Sequence, residues 1–326
     1  MSTKQKTLEL LEKNRGQFLS GAEMAKAIKI SRNSVWKAIH SLKKEGYQIE
    51  AVSNRGYKLA EDNDILSVAG MLPDLLNEEW APNIKIFSSL ESTNKTAKEL
   101  AINGQVHGTV IIADSQTAGK GRLGRSFHSP AGSGIYMSFI LRPVCLPFDN
   151  PTAVTAFAAV AVCETIATLS GKTPKIKWVN DIFVDGLKIC GILTEAISDL
   201  ENKSFQWLVL GIGINVSTVT EDFPEALRQI AGSLYPDGKK PMTRNRFVAT
   251  LINQILGDHA YGSEQALYEK YKEYLFIIGQ NIVVTEPKNT YEATAIDINS
   301  KGHLIVKKAD GAMVTLVSGE VSILPH

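Results

Sequence analysis

Apolar positions recur at helical spacing three times within the first 46 residues. Leu8 and Leu11 mark a first helix that ends near residues 14–16. Ser20, followed three residues later by Glu23, makes a capping box and predicts a second helix with Met24, Ala25 and Ile28 inward. Ser31 predicts the cap of a third helix over residues 32–44, which turns Val35, Ile39 and Leu42 to one side. The period then changes to two. Residues 47–53 and 57–60 alternate around Asn54-Arg55-Gly56, which predicts a hairpin with Arg55 at its tip. Two helices joined by Lys29-Ile30-Ser31 form a helix-turn-helix, and the hairpin adds a wing.

From residue 84 strands and helices intermingle. Strands are predicted over residues 84–88, 109–113, 135–141, 176–178, 182–184, 188–196 and 205–216. Helices are predicted over 92–101, capped by Ser92, and over 151–169, with Pro151 in its first turn and Gly171 closing it. Adjacent hairpins, one of them turning at Asp185-Gly186, argue for a mixed sheet and an α+β fold, not a doubly wound one. Thr243 caps a further amphipathic helix, and residues 263–275 predict another. Beyond Gly279 only short strands follow, over 282–285, 291–298, 303–307 and 313–317. A piece of about 48 residues buries little by itself, so it should dock on the central domain.

The chain has 326 residues, of which 44% are hydrophobic and 21% charged, as suits two or three globular domains. Cys145, Cys163 and Cys190 form no CxxC pair, which excludes a thiolate zinc finger or a disulfide framework. The longest uncharged apolar run, residues 153–163, is too short to cross a bilayer, and no signal segment opens the chain. A cytoplasmic chain with no membrane partner is the expectation.

The net charge of +1 conceals an asymmetry: residues 1–60 hold twelve Lys/Arg against five Asp/Glu, the remainder 23 against 29. A basic head on a mildly acidic body points to nucleic acid. Ser31, Arg32, Asn33, Ser34, Trp36 and Lys37, where a recognition helix meets base edges, are the candidate DNA contacts, with Arg55 on the wing. A helical protein-docking module with a solvated basic face is the alternative. The charge changes sign at Glu61, Asp62 and Asp64, so the domains are drawn at 1–62, 63–276 and 277–326.

Gly119, Gly121 and Gly124 match GxGxxG, but Pro130, Gly132 and Gly134 forbid the helix that a dinucleotide fingerprint needs behind it. No GxxxxGK[ST] occurs, so a P-loop is excluded too. What remains is a loop carrying Lys120, Arg122 and Arg125 beside glycines. It is either a solvated basic loop or a clamp for a phosphate or carboxylate.

Five motifs occur together: Ser92-Thr93-Asn94, the glycine loop from Gln116 to Arg125, Lys177-Trp-Val-Asn-Asp181, Lys188-Ile-Cys-Gly-Ile-Leu-Thr-Glu195 and Gly211-Ile-Gly-Ile-Asn215. In this order and spacing they resemble the biotin protein ligases. With the winged head, the chain is similar to the bifunctional ligase and biotin operon repressor form over essentially its whole length. Two positions depart from the family pattern, which usually has Arg at Lys120 and Pro at Val179. Lysine keeps the charge and gives up bidentate geometry.

The resemblance implies a two-step reaction, in which biotin and ATP give biotinoyl-5′-AMP and a carrier lysine then takes the biotinoyl group. It implies that Ser92, Thr93, Asn94 and Gln116 meet the ureido ring, with Lys120, Gly121, Arg122 and Lys188 at the biotin carboxylate and the acyl phosphate. Arg122, Arg125, Asn180 and Asn215 fall to ATP, and Lys188, Arg122, Lys177 and Asp181 to catalysis. Asp181 either helps to deprotonate the lysine or is not needed for it, positioning of the small unprotonated fraction being an equally good account, and Trp178 is either plain core or part of the site. Mg²⁺ is implied with ATP, and no ligand spacing supports a metal site made by protein alone. The implied partners are apo carrier domains, that of acetyl-CoA carboxylase first and pyruvate carboxylase second, and operator DNA. Loops 119–125 and 217–223, polar or glycine-rich, would order around biotinoyl-AMP and favour a homodimer. A small SH3-like barrel is implied at the C-terminus.

Overall fold

The computed structural model describes residues 1–148, 150–199, 204–257, 263–286 and 289–324. The head begins with α1 (Thr3–Lys13), α2 (Gly21–Ala27) and α3 (Arg32–Lys44), followed by the hairpin of β1 (Ile49–Val52) and β2 (Gly56–Leu59). The predicted caps are present: Ser20 Oγ accepts from Glu23 N while Glu23 accepts from Ser20 N, and Ser31 Oγ accepts from Ser34 N. Leu8, Leu11, Met24, Val35, Ile39, Leu42 and Leu59 close a core separate from the rest. That core does not stop at residue 62. Ile65 and Ala69 pack into it, the latter from the short helix α4 (Val68–Met71).

The central sheet takes β3 (Ile84–Phe87), then α5 (Thr93–Ile102), β4 (Thr109–Ala113) and β5 (Gly134–Leu141). Helix α6 (Pro151–Ser170) precedes β6 (Lys175–Lys177), β7 (Asp181–Val184), β8 (Leu187–Asp199) and β9 (Ser204–Asn215). Strand order is β3-β4-β5-β9-β8-β7-β6, with only β3 and β4 parallel, so the sheet is mixed as expected. The segment behind the glycine loop, residues 126–134, is no helix, and the loop itself holds only a single tight turn at Arg122–Gly124.

Two corrections follow. Residues 153–163 alone are too short to span a bilayer, but α6 as a whole has 20 residues and is long and apolar enough. Its most apolar stretch is 72% buried, so its apolarity is accounted for by core packing. Ser92 stands at the N-cap position of α5 without a side-chain capping bond, so its hydroxyl does not serve the helix.

Helices α7 (Arg244–Leu256) and α8 (Glu264–Tyr274) pack with α6 on one face of the sheet. The C-terminal unit is a five-stranded antiparallel sheet of β10 (Asn281–Glu286), β11 (Asn289–Ile298), β12 (Leu304–Lys308), β13 (Met313–Leu316) and β14 (Glu320–Ile323). The sequence pattern misses β14, which pairs with β10. Among the described residues the outer strands β13 and β14 form no pair with each other, so the hydrogen bonding is that of an open sheet. Its Ile282, Val284, Leu304, Val306 and Val321 join the same core as α6, as the docking argument requires.

Candidate functional site

Alternation along the strands makes the site. The even residues of β9 and odd residues of β5 enter the main core, leaving Trp207, Val209 and Ile140 on the opposite face beneath Ala97 and Ala101 of α5. Farther along that face the same parity brings Ser138, Gly191, Gly211 and Gly213, where small residues leave room. A cavity of about 710 Å³ occupies that room. Register places Lys177, Asp181, Gly191, Gly213 and Tyr136 opposite one another on five successive strands. Motifs far apart in the chain thus form one row.

One end of the cavity is neutral. Ser92, Thr93 and Asn94 are buried at the start of α5 and line it with Gln116. Gln116 Oε1 accepts from Thr93 N at 2.8 Å, and Gln116 Nε2 donates to Ser129 Oγ at 2.9 Å. Asn94 Nδ2 donates to Glu195 Oε2 at 2.8 Å and to the Leu193 carbonyl at 3.2 Å, while its Oδ1 lies 2.7 Å from Ser138 Oγ. Asn94 and Gln116 therefore have their amides engaged by protein and hold Thr93 and Ser138 in place. Gly119 has to be glycine: a Cβ there would come within 2.6 Å of the Phe127 carbonyl and 2.8 Å of Ser129 Oγ.

The other end is cationic. Gly121 N donates to the Arg125 carbonyl at 2.7 Å and Phe127 N to the Gly119 carbonyl at 2.8 Å, folding the glycine loop back on itself. Lys120, Gly121, Arg122 and Arg125 all line the cavity, Lys120 being exposed. Arg122 donates to Asn180 Oδ1 at 3.1 Å and to the Gly319 carbonyl at 3.3 Å, and Arg125 pairs with Glu320 at 2.6 Å. Gly319 and Glu320, at the strand the sequence pattern missed, bring the C-terminal unit into the cavity wall.

Lys188 Nζ lies 2.6 Å from Asp181 Oδ1. Lys177 has no ion pair among the described residues; burial holds its ammonium below the ordinary lysine pKa, with Asp181 opposing and Lys188 adding to this. Asn180 donates to the Ile192 carbonyl at 2.7 Å, and Asn215 Nδ2 to the Gly232 carbonyl at 3.0 Å, leaving Asn215 Oδ1 buried with no partner. His128, absent from the sequence-based candidates, also lines the cavity and has a buried, unpartnered Nε2. Trp178 serves as a tie: it is buried and its indole N–H donates to the Gly302 carbonyl at 2.9 Å.

All thirteen sequence-derived candidates for biotin, ATP and catalysis line this one cavity. The DNA candidates are elsewhere, on the head. Arg32, Asn33, Trp36 and Lys37 are exposed on α3, whereas the Ser31 and Ser34 hydroxyls lie 2.8 Å apart at the cap. Arg55 is exposed at the wing tip, its guanidinium 4.0 Å from the Phe18 ring centroid.

Packing at the neutral end gives a direct test. A Cβ at Gly211 would overlap the Asn94 amide. Gly211→Ala should displace Asn94 and raise at least about fivefold the KM of the substrate that takes this end, on the scale of about 1–3 kcal/mol for overpacking. Unchanged KM values for all substrates would show that the Asn94 network does not shape that end.

A winged helix-turn-helix joined to a mixed-sheet domain with this cavity defines the class, a ligase domain carrying a DNA-binding head. Residues 86–215 match the biotin/lipoate A/B protein ligase family, residues 3–58 an HTH domain and residues 277–324 the biotin protein ligase C-terminal domain. The bifunctional ligase/repressor BirA of Bacillus subtilis is 36% identical over 93% of this chain and 94% of its own length. The biotin–[acetyl-CoA-carboxylase] ligase of Mycobacterium tuberculosis is 29% identical over 73% of this chain and 88% of its own. A biotin protein ligase from Aquifex aeolicus, solved in complex with biotin and ATP, superposes with a TM-score of 0.63 at 26% identity, covering 75% of this chain and 99% of that one. The chain belongs to the biotin protein ligase family, in its bifunctional ligase/repressor form.

Proposed function

We propose that the chain activates biotin with ATP, transfers it to a lysine of carrier domains such as that of acetyl-CoA carboxylase, and represses transcription through its head. The observation that supports this most is the polarity of one cavity, neutral donors and acceptors at one end and cations at the other. A ureido ring offers two N–H donors and a carbonyl without charge, which suits the end lined by Ser92, Thr93, Asn94 and Gln116. A carboxylate meeting a triphosphate brings two anions together, which suits Lys120, Arg122, Lys177 and Lys188.

In the first step a biotin carboxylate oxygen bonds to the α-phosphorus and the bond to pyrophosphate breaks. Arg122 and Lys188 face the charge that grows on the phosphoryl oxygens. In the second step the carrier amine bonds to the acyl carbon, AMP leaves with the bridging oxygen, and the amine gives up a proton. Asp181, held by Lys188, orients the neutral amine before attack, and the proton released passes to water. Asn215 Oδ1 is an acceptor for the nucleotide. Mg²⁺ would arrive with the ATP phosphates: among the described residues no three His, Cys, Asp or Glu side chains gather, and Mg²⁺ commonly needs only one or two carboxylates beside phosphates. It would offset phosphate charge. Asp181 is a carboxylate within the cationic end, as is Glu320.

Incubation of the full chain with biotin, ATP, Mg²⁺ and an apo carrier domain should add the mass of one biotinoyl group to the carrier. No mass gain would refute the ligase reading. For regulation, biotinoyl-AMP is the corepressor: it favours a homodimer that reads paired half-sites, and carrier demand in the cytoplasm relieves repression. Equal dimerisation and equal operator affinity with no ligand, with biotin, and with a non-hydrolysable biotinoyl-AMP analogue would overturn the coupling.

Lys177 gives a second prediction. Its depressed pKa means the fold disfavours the charged ammonium, a cost fully present below the folded-state pKa and fading as pH rises through it. Lys177→Met should therefore stabilise the protein at neutral pH, by about 1 kcal/mol, while slowing adenylate formation. The gain should shrink at alkaline pH. A variant that is both less stable and fully active would contradict it.

A further inference from the structure

The outward face of α3 holds more than the sequence-derived candidates. Val35, Ala38, Ile39 and Leu42 are buried, so Arg32, Asn33, Trp36, Lys37 and His40 face solvent together. Trp36 is 54% exposed. Its ring is stacked on that of His40, one helical turn on, with centroids 5.5 Å apart and planes within 7°. Exposing an indole forgoes a large burial gain. Here the exposed indole is also fixed in orientation, which lowers the entropy it would lose on meeting a partner.

The surroundings decide what that partner is. Arg32 and Lys37 flank the pair on α3, and Arg55 and Lys58 project from the wing over Phe18. A partner must therefore be polyanionic while presenting an apolar group within reach of a helix. The major groove of duplex DNA does both, because thymine carries its C5-methyl there between two rows of phosphates.

Building on the DNA-binding reading above, we infer that Trp36 reads a thymine C5-methyl in the major groove and that His40 is the positioning residue that holds the indole plane. Arg32 and Lys37 supply phosphate contacts that carry no sequence information. The indole contributes discrimination between thymine and the other bases at one position of each half-site.

Deoxyuridine tests this, since it keeps every hydrogen-bonding edge of thymidine and lacks only the methyl. A random duplex pool is selected with the full chain, biotin and ATP, and the enriched duplex is resynthesised with single thymidines replaced by deoxyuridine. At one position per half-site the replacement should weaken wild-type binding roughly fourfold, the scale of one buried methyl. The same duplexes should bind Trp36→Ala equally well, whatever its absolute affinity. Trp36→Phe, which keeps a ring, covers the case in which the alanine variant binds too weakly to measure, and should retain a reduced discrimination. His40→Ala should shrink the methyl effect without changing the salt slope, whereas loss of a phosphate contact would lower that slope by about one.

Equal affinity of the wild type for every deoxyuridine duplex would overturn the inference while leaving DNA binding intact. Failure to enrich any duplex would overturn both readings. Wild-type DNA affinity of Trp36→Ala, with weakened self-association, would show that the pair is a protein contact instead.

Discussion

Replacing Lys188 or Arg122 by alanine is expected to slow pyrophosphate release at saturating biotin and ATP by about 10²–10³-fold, the usual effect of losing one preorganised donor to developing charge. The two variants should not be equal. Arg122 is held by neutral partners, the Asn180 amide and the Gly319 carbonyl, so its loss removes a cation and nothing more. Lys188 neutralises Asp181 at 2.6 Å, and the Asp181 side chain is only 16% exposed. Without Lys188 a carboxylate faces two incoming anions, so attraction is replaced by repulsion. Lys188→Ala should be the slower enzyme, and adding Asp181→Asn to it should recover part of the loss. Melting curves separate this from unfolding. Equal rates for Lys188→Ala with and without Asp181→Asn would show that the carboxylate does not face the reacting groups.

How much of this was legible in the sequence depended on range. Caps and turns are written in neighbouring residues, so the head's helices and wing could be drawn within a residue or two. The floor of the cavity left a fainter mark, the glycines at alternate positions of Gly211-Ile-Gly213. Which strands lie beside them is a matter of register, and the row from Lys177 to Tyr136 needed the pairing itself. Strand β14 was missed because four residues of mixed polarity become a strand only through β10, far earlier in the chain. The site candidates came from resemblance more than from periodicity. Asn94 and Gln116 show its limit, since motif membership does not reveal that their amides are engaged by protein.

Arg244 was invisible for the same reason, and its removal should have the largest effect on stability. Sequence pattern marks only the apolar side of α7. The Arg244 side chain is only 4% exposed, and its guanidinium donates to Asp64 Oδ2 at 2.9 Å, to the Asp64 carbonyl at 2.9 Å, to Asp114 Oδ1 at 2.8 Å and to the Gly134 carbonyl at 3.0 Å. Asp64 lies in the linker from the head, and Asp114 two residues before Gln116, so one side chain joins three segments. Arg244→Met keeps the bulk and strands two carboxylates and two carbonyls, which should cost about 3–5 kcal/mol in urea unfolding. Lys240 also reaches Asp64 and limits the loss on that side. Arg244→Lys should recover little, because one ammonium cannot span acceptors spread around a planar fork. Asp64→Asn should cost less than either, since its amide keeps an acceptor for Arg244 and leaves the Asp114 bond untouched. Because Asp114 also accepts from Gly132 N at 3.3 Å, the methionine variant should loosen the segment between the two ends of the cavity and raise the biotin KM as well. Wild-type unfolding of Arg244→Met would mean that the buried guanidinium is no better than an apolar side chain of its size, and the junction would then owe its stability to Ile65 and Ala69 in the head's core.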